Sequence, residues 1–253
     1  MTIKTATTDG VTTIEIVRPE KKNALTVAMY QAMTEAVTVA VADSAVRALL
    51  ITGQPGVFTS GNDLEDFLQR PPGDESSPVF GFMQALCACD KPVVAAVNGA
   101  AIGIGTTLLL HCDLVYVSEA ARFSMPFVAL GVVPEFASSF ILPQLLGPVR
   151  AAEKLLLGEP FGGAEAVALG IANGVLPPEE VLAHARRAAE RFNHLPLGAV
   201  RDAKRLMRAG TKAAVASALQ AESAVFVQRL RSPEAREALQ AFLQKRKPDF
   251  RNL

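Results

Sequence analysis

The 253-residue chain has no excess of either charge: 25 lysines and arginines balance 25 aspartates and glutamates. Without a net field to attract polyanions, neither nucleic acid nor an anionic membrane is an expected partner, although a local cluster of cations can still hold a small anion. Cysteine is scarce. Cys87, Cys89 and Cys112 are too few, and odd in number, for a disulfide framework, and they lack the paired C-x-x-C spacing of a zinc site. Free thiols in a reducing compartment and no metal are therefore expected. His111, His184 and His194 show neither metal nor triad spacing and read as structural. The opening MTIKTATTDG lacks the apolar stretch of a signal peptide. Residues 93–110 carry no charge, but Asn98, three glycines and two threonines interrupt them, so they read as a buried βα unit and not as a membrane span. The expectation is a cytoplasmic protein.

Half of the chain is hydrophobic and a fifth is charged, enough for a sizeable core. Residues 3–8 and 11–18 alternate around Asp9-Gly10, which predicts a hairpin. Thr26 is placed to cap a helix running to about residue 42. A strand at 47–52 leads into a turn-rich loop, which enters a short helix near Leu64. A mobile surface loop is expected at 70–77, a helix at 78–88 and a buried strand at 93–97. Then follow a helix at 104–111, strands at 114–118 and 122–124, and helices at 138–146, 149–157 and 164–169. A strand-like piece at 171–176 precedes four amphipathic helices at 179–192, 197–208, 211–230 and 233–244. The division expected is an α/β core over residues 1–195 with a helical region over 196–253.

The chemistry concentrates between Lys91 and Gly147. Gly99-x-x-x-Gly103-x-Gly105 follows a strand and opens a helix. That turn alone resembles the nucleotide-binding turn of short-chain dehydrogenases, but the Tyr-x-x-x-Lys they pair with it is missing. The tyrosines are Tyr30 and Tyr116, followed four residues on by Thr34 and Ala120. Helix N-termini also present free N–H groups to a developing oxyanion. A second glycine loop, Ser60-Gly61-Asn62-Asp63-Leu64, likewise ends at a helix start, so two loops could aim one N–H each at the same oxygen. Glu135 is the lone carboxylate in the apolar run VVPEFASS. Taken alone it is an acid ahead of the helix at Ser138; opposite two oxyanion donors it is a general base. Asp63 reads as a helix cap, and Asp113 and Glu119 as structural hydrogen-bond partners of a strand. Ser60, Ser138 and Ser139 have no paired base for covalent catalysis.

FTSGNDLEDF together with AAVNGAAIGIGTTLLLHCDLVYVSEAARFSMPF resembles the crotonase (enoyl-CoA hydratase/isomerase) superfamily, and the likeness extends over nearly the whole chain. The resemblance implies an α/β spiral of ββα repeats (the ClpP/crotonase fold) with a C-terminal helical trimerisation region. It also implies a homotrimer or dimer of trimers, and an acyl-CoA thioester substrate with no cofactor besides the CoA it carries. The oxyanion donors would be the backbone N–H groups of Asn62 and Ile104. The positions matching the two hydratase glutamates are Thr107 and Phe127, which argues against hydration, since adding water needs both a base and an acid. SGNDL with VVPEFASS is similar to the peroxisomal-type Δ3,Δ2-enoyl-CoA isomerases of fatty acid metabolism, whose single catalytic glutamate would be Glu135 here. Phe127, Val132, Val133 and Phe136 would surround that carboxylate with apolar groups. Gly61, Asp63, Leu64, Gly103 and Phe127 would border the acyl thioester, Lys22 and Ala24 the CoA moiety, and Lys245, within Lys245-Arg246-Lys247, its 3′-phosphate. For both basic clusters ordinary solvated surface is the alternative. For the whole chain the alternatives are another crotonase-type acyl-CoA reaction (weak hydration, hydrolysis or decarboxylation) or acyl-CoA binding without catalysis.

Overall fold

The computed structural model describes residues 2–74, 76–251 and 253. Glu75, in the loop expected at 70–77, lies outside the described residues, as do the terminal positions 1 and 252 of the expected domain ranges. The hairpin forms as expected from β1 (Ile3–Thr8) and β2 (Val11–Ile16), paired in register around Asp9 and Gly10, both left-handed. Helix α1 (Val27–Ala42) starts at Thr26, whose hydroxyl accepts the Met29 N–H.

A repeated unit then sets the architecture. β3 (Ala48–Thr52) and β4 (Val57–Thr59) precede α2 (Leu64–Gln69) and α3 (Pro78–Ala88). β5 (Val93–Val97) and β6 (Ala100–Ile102) precede α4 (Ile104–Thr107), and β7 (Leu114–Ser118) and β8 (Arg122–Ser124) precede α5 (Ser138–Leu146). The first strand of each unit joins a six-stranded sheet ordered β1-β2-β3-β5-β7-β10, and the second joins a four-stranded sheet ordered β4-β6-β8-β9. Corresponding strands of successive units pair in parallel. Each turn of chain thus stacks on the one before, the ββα spiral expected from the sequence. All five residues of β5 are buried, as a central parallel strand covered on both faces requires.

The chain continues through α6 (Pro148–Ala152), β9 (Phe161–Gly162), α7 (Gly163–Ala168) and β10 (Gly174–Leu176). The last helices are α8 (Val181–Glu190), α9 (Leu197–Ala209), α10 (Lys212–Leu230) and α11 (Pro233–Leu243). Phe226 of α10 and Ala235 of α11 enter the same apolar core as the strands. Ionic contacts hold α9 to the core: Lys204 and Arg208 both pair with Asp113, whose carboxylate also accepts the Val93 N–H at 2.7 Å. Among the described residues no helix is long and apolar enough to cross a membrane.

The structure departs from expectation at the short elements. β4, β6 and β9 lie where loops or turns were expected, because two or three residues show no periodicity and form only when a neighbouring strand offers partners. The helix expected at 104–111 tightens after Thr107 into a 3-10 turn, Leu108–His111. The one expected at 149–157 opens after Ala152 into a π turn, Glu153–Leu157.

Asn23 is the other feature that periodicity cannot reveal. It is fully buried and left-handed, its amide nitrogen donates to the carbonyls of Ile16, Val57 and Phe58 at 3.0–3.1 Å, and its oxygen accepts the Arg18 N–H at 2.7 Å. It thereby ties the 18–26 loop to β2 and β4. Asn23→Ala leaves buried polar groups without partners and should cost about 3 kcal/mol. Urea denaturation tests this, and a loss near the level of an ordinary surface substitution, about 0.5 kcal/mol, would contradict it.

Candidate active site

Strand pairing places the two glycine loops together. β4 and β6 are parallel neighbours, with Val57 opposite Ala100 and Thr59 opposite Ala101, so the loops that leave their C-terminal ends lie side by side. Gly61 (φ 88) and Gly103 (φ 55) then turn the chain in a region that favours glycine. A Cβ on Gly61 would stand 2.9 Å from the Ile102 carbonyl oxygen, so close do the loops run. Gly103 donates to the Ser124 carbonyl at 2.9 Å, and its own carbonyl accepts the N–H groups of Thr106 and Thr107. Among the described residues, neither the Asn62 nor the Ile104 backbone N–H has a protein acceptor.

The Asn62 loop is held on three sides. Leu25 donates to the Gly61 carbonyl and accepts from the Asp63 N–H, both at 2.8 Å. The Tyr30 hydroxyl donates to the Asn62 side-chain oxygen at 2.5 Å. Asp63 caps α2 by accepting the Glu65 and Asp66 N–H groups, and it pairs with Arg18 at 2.6 Å. Burial works to raise its pKa, but these backbone bonds and the Arg18 guanidinium hold it below the usual carboxylate range. Its carboxylate is thus occupied by protein groups. Its expected place beside the substrate rests on its backbone alone. Leu64, half-buried, begins α2.

Lys22 and Ala24 flank Asn23 next to this loop. The Lys22 carbonyl accepts the Ser60 N–H at 3.1 Å, with the lysine exposed and Ala24 buried. Lys245 is exposed just after α11. Its neighbour Arg246 is committed to Glu237 at 2.5 and 2.9 Å, and among the described residues no hydrogen bond or ion pair joins Lys245 to the glycine loops.

Glu135 is 4% exposed, and its Oε1 accepts a hydrogen bond from the Thr107 hydroxyl at 2.5 Å. Thr107 lies one turn beyond Ile104 on α4, so the carboxyl is tied to the helix that carries the free N–H. Phe127 is buried beside the same turn, its ring edge 3.8 Å from where a Gly103 Cβ would stand. Burial pushes the Glu135 pKa up to about 8; the Thr107 hydrogen bond opposes this, and the Glu222 carboxylate adds to it. Burial, then the Glu135 charge, also raises the Tyr30 phenol, which sets phenol and carboxyl within electrostatic reach of each other.

Past Glu135 the chain makes two successive left-handed residues, Phe136 (φ 60) and Ala137 (φ 57). His111 stacks on the Phe136 ring at 4.1 Å and bonds its carbonyl through Nε2 at 2.7 Å. Burial lowers the His111 pKa to about 4, so the ring is neutral and structural, as expected. Ser138 donates to the Glu135 carbonyl at 2.6 Å. Glu135 does not cap α5. Glu222 of α10 does, accepting the Ala137 N–H at 2.6 Å and the Ser139 N–H at 2.8 Å.

Two residues of this site were missed from sequence. Tyr30 offered no signal, since a tyrosine on an apolar helix face reads as core. Glu222 offered one: it is the only charged residue between Lys212 and Arg229, the same lone acid in an uncharged run that singled out Glu135. Next to Tyr30 is a cavity of about 180 Å³, bordered by Leu25, Phe67, Pro71, Pro72 and Val79. Among the described residues no His, Cys, Asp and Glu cluster could hold a metal ion.

The raised pKa fixes a sign for stability. A carboxyl with a folded pKa of about 8 against an ordinary 4.5 keeps its proton in the folded state while the unfolded chain releases it. Its contribution to stability therefore falls as pH rises through that window, by about 1.4 kcal/mol for each pH unit. Glu135→Gln lacks this slope. Its unfolding free energy should gain on the wild type between pH 5 and pH 8, and denaturation curves that stay parallel would contradict the burial.

The model of the enoyl-CoA hydratase/isomerase family matches residues 6–252. The solved structure of Pseudomonas aeruginosa OdaA is 53% identical, with a TM-score of 0.94 over 96% of this chain and 98% of that one. Enoyl-CoA delta isomerase 2 of Homo sapiens is 35% identical over 82% of this chain, which spans 54% of that protein's length. A probable enoyl-CoA hydratase of Rhodobacter capsulatus is 33% identical over 98% of this chain and 97% of its own. With its crotonase fold and its family match over nearly the full length, the chain belongs to the enoyl-CoA hydratase/isomerase family, close to the Δ3,Δ2-enoyl-CoA isomerases.

Proposed function

We propose that the protein isomerises 3-enoyl-CoA to 2-trans-enoyl-CoA, with Glu135 as the single proton carrier. The supporting observation is the solitude of that carboxyl. Its hydrogen-bond partner is a threonine, and the nearby carboxylate, Glu222, is occupied by two backbone N–H groups. Glu135 removes a proton from C2 of the thioester. The electron pair passes into the carbonyl, and the dienolate oxygen is held by the Asn62 and Ile104 N–H groups. The double bond moves when the same carboxyl returns the proton at C4, so atoms and charge balance without a second acid. Burial helps, because a raised pKa makes the carboxylate a stronger base.

The CoA moiety lies along Lys22 and Ala24, and the acyl chain extends past Phe127 and Tyr30 toward the cavity at Pro71 and Pro72. Lys245 meets the 3′-phosphate of a CoA bound to a neighbouring subunit, in a trimer or a dimer of trimers. Leu206 and Met207, 65% and 84% exposed on α9, are apolar positions for such contacts to cover. A light-scattering mass of a single chain would remove this part of the proposal.

A second reading, hydration, is favoured by the name of the Rhodobacter capsulatus relative. Thr107 in place of a carboxylate disfavours it. A panel of 3-enoyl, 2-enoyl and 3-hydroxyacyl thioesters separates the two by product. In Glu135→Gln, isomerase turnover should fall by about 10²-fold or more, with the circular dichroism spectrum and CoA affinity retained. Near wild-type turnover would refute Glu135 as the base.

A further inference from the structure

The mechanism uses Glu135 but leaves unexplained the buried acid behind it. Glu222 is 7% exposed in the middle of α10, far along the chain from the site. Both its oxygens are engaged, Oε2 by the Ala137 N–H at 2.6 Å and Oε1 by the Ser139 N–H at 2.8 Å. The peptide segment it grips is the one that must stay left-handed: Phe136 and Ala137, at φ 60 and 57, directly follow Glu135. Neither is glycine, and such a pair persists only where its surroundings hold it. Ala137 has no side chain with which to cap α5, so the capping carboxylate comes from α10.

We propose that Glu222 is a positioning residue for the reaction, clamping the left-handed Phe136–Ala137 turn so that the Glu135 carboxyl is presented to the Asn62 and Ile104 donors. The inference rests on Glu135 being the base. It assigns to α10 a part in the chemistry, and it makes the clamp a second source of Glu135 basicity. The groups that face this pair are few. Thr107 of α4 bonds Glu135; Tyr30 of α1 lies within its field; His111, neutral with a pKa of about 4, stacks on Phe136; and Ser138 bonds the Glu135 carbonyl. Among the described residues no cation bonds either carboxyl. Glu222 therefore acts on Glu135 in two ways, through the backbone it holds and through its own charge, which helps to raise the Glu135 pKa.

The two effects separate experimentally. Glu222→Gln keeps the shape and one acceptor but loses the charge. It should lower kcat by about 10-fold or more, as loss of an outer-shell partner does, with KM near the wild-type value. It should also move the Glu135 titration to lower pH. That midpoint is read directly by carbon-13 NMR of carboxyl-labelled glutamate, with Glu135→Gln identifying the resonance. Glu222→Asp keeps the charge on a shorter arm, so it should hold the midpoint near wild type while kcat still falls. A residue that merely caps α5 would lower the melting temperature and leave kcat per folded enzyme unchanged in both variants; that outcome overturns the proposal. If Glu222→Gln does not fold, Glu222→Asp decides through kcat alone, and wild-type turnover in it overturns the proposal. A wild-type enzyme that turns over no 3-enoyl thioester refutes the isomerase reading by itself, and a crystal structure of Glu222→Asp then decides the clamp independently: a Glu135 carboxyl displaced from Thr107 supports it, and one left in place overturns it.

Discussion

A carboxyl group taken almost entirely out of water at Glu135 constrains everything near it. Its pKa of about 8 against an ordinary 4.5 corresponds to about 5 kcal/mol against ionisation, the net result of burial and the Glu222 charge. That net already includes the opposing hydrogen bond from Thr107. A carboxyl in that state would turn away if the backbone allowed it. The backbone does not allow it, because the next two residues are fixed. The Phe136 carbonyl is bonded by His111, and Glu222 holds the N–H groups that open α5. Two left-handed non-glycine residues cost of order 1–3 kcal/mol each. Two charge-assisted bonds to Glu222 contribute about 1.5–3 kcal/mol each, which is enough to offset the strain.

The proposed oxyanion donors follow from a different constraint, the pairing of very short strands. β4 and β6 have three residues each, too few to be stable alone; β4 takes its ladder from β6, and β6 takes its own from β4 and β8. The pairing has one consequence that matters for chemistry. Equivalent loops in successive repeats emerge at the same edge, Gly61-Asn62 beside Gly103-Ile104. The two loops therefore lie side by side as a property of the repeat, and a backbone N–H there depends little on the side chain it accompanies. Ile104 can stand there because its side chain is buried in the core.

This difference between local and distant causes decides what could be read from the sequence. The hairpin at Asp9-Gly10, the Thr26 cap, the buried run of β5 and the glycine turn before α4 are each written within a few adjacent residues, and each forms where the pattern puts it. The loops that carry Asn62 and Ile104 were legible for the same reason, each marked by a glycine ahead of a helix start. The roles of Asn23, Tyr30 and Glu222 were not, even though Glu222 stands out as a lone acid, since the partners of each lie more than thirty positions away for at least one bond. No periodicity records such a pairing. The same holds at α5: the acid nearest in sequence, Glu135, bonds Thr107, and the acid that caps the helix lies on α10.

Thr107 bears most directly on the reaction. A carboxylate at that position, hydrogen-bonding distance from Glu135, would put two like charges in one buried space, and only one could ionise readily. Such a pair suits chemistry that needs an acid and a base at once. A hydroxyl has the opposite effect. It donates to the ionised form of Glu135, so the carboxylate remains accessible even though burial opposes it. The result is one group with a pKa of about 8, close enough to neutrality to be populated in both its protonation states. In the proposed isomerisation the base that takes the C2 proton is the acid that must return it at C4. A strongly acidic carboxyl would give the proton back readily but take it poorly, and a strongly basic group the reverse. A single carboxyl balanced between burial and one hydrogen bond can do both.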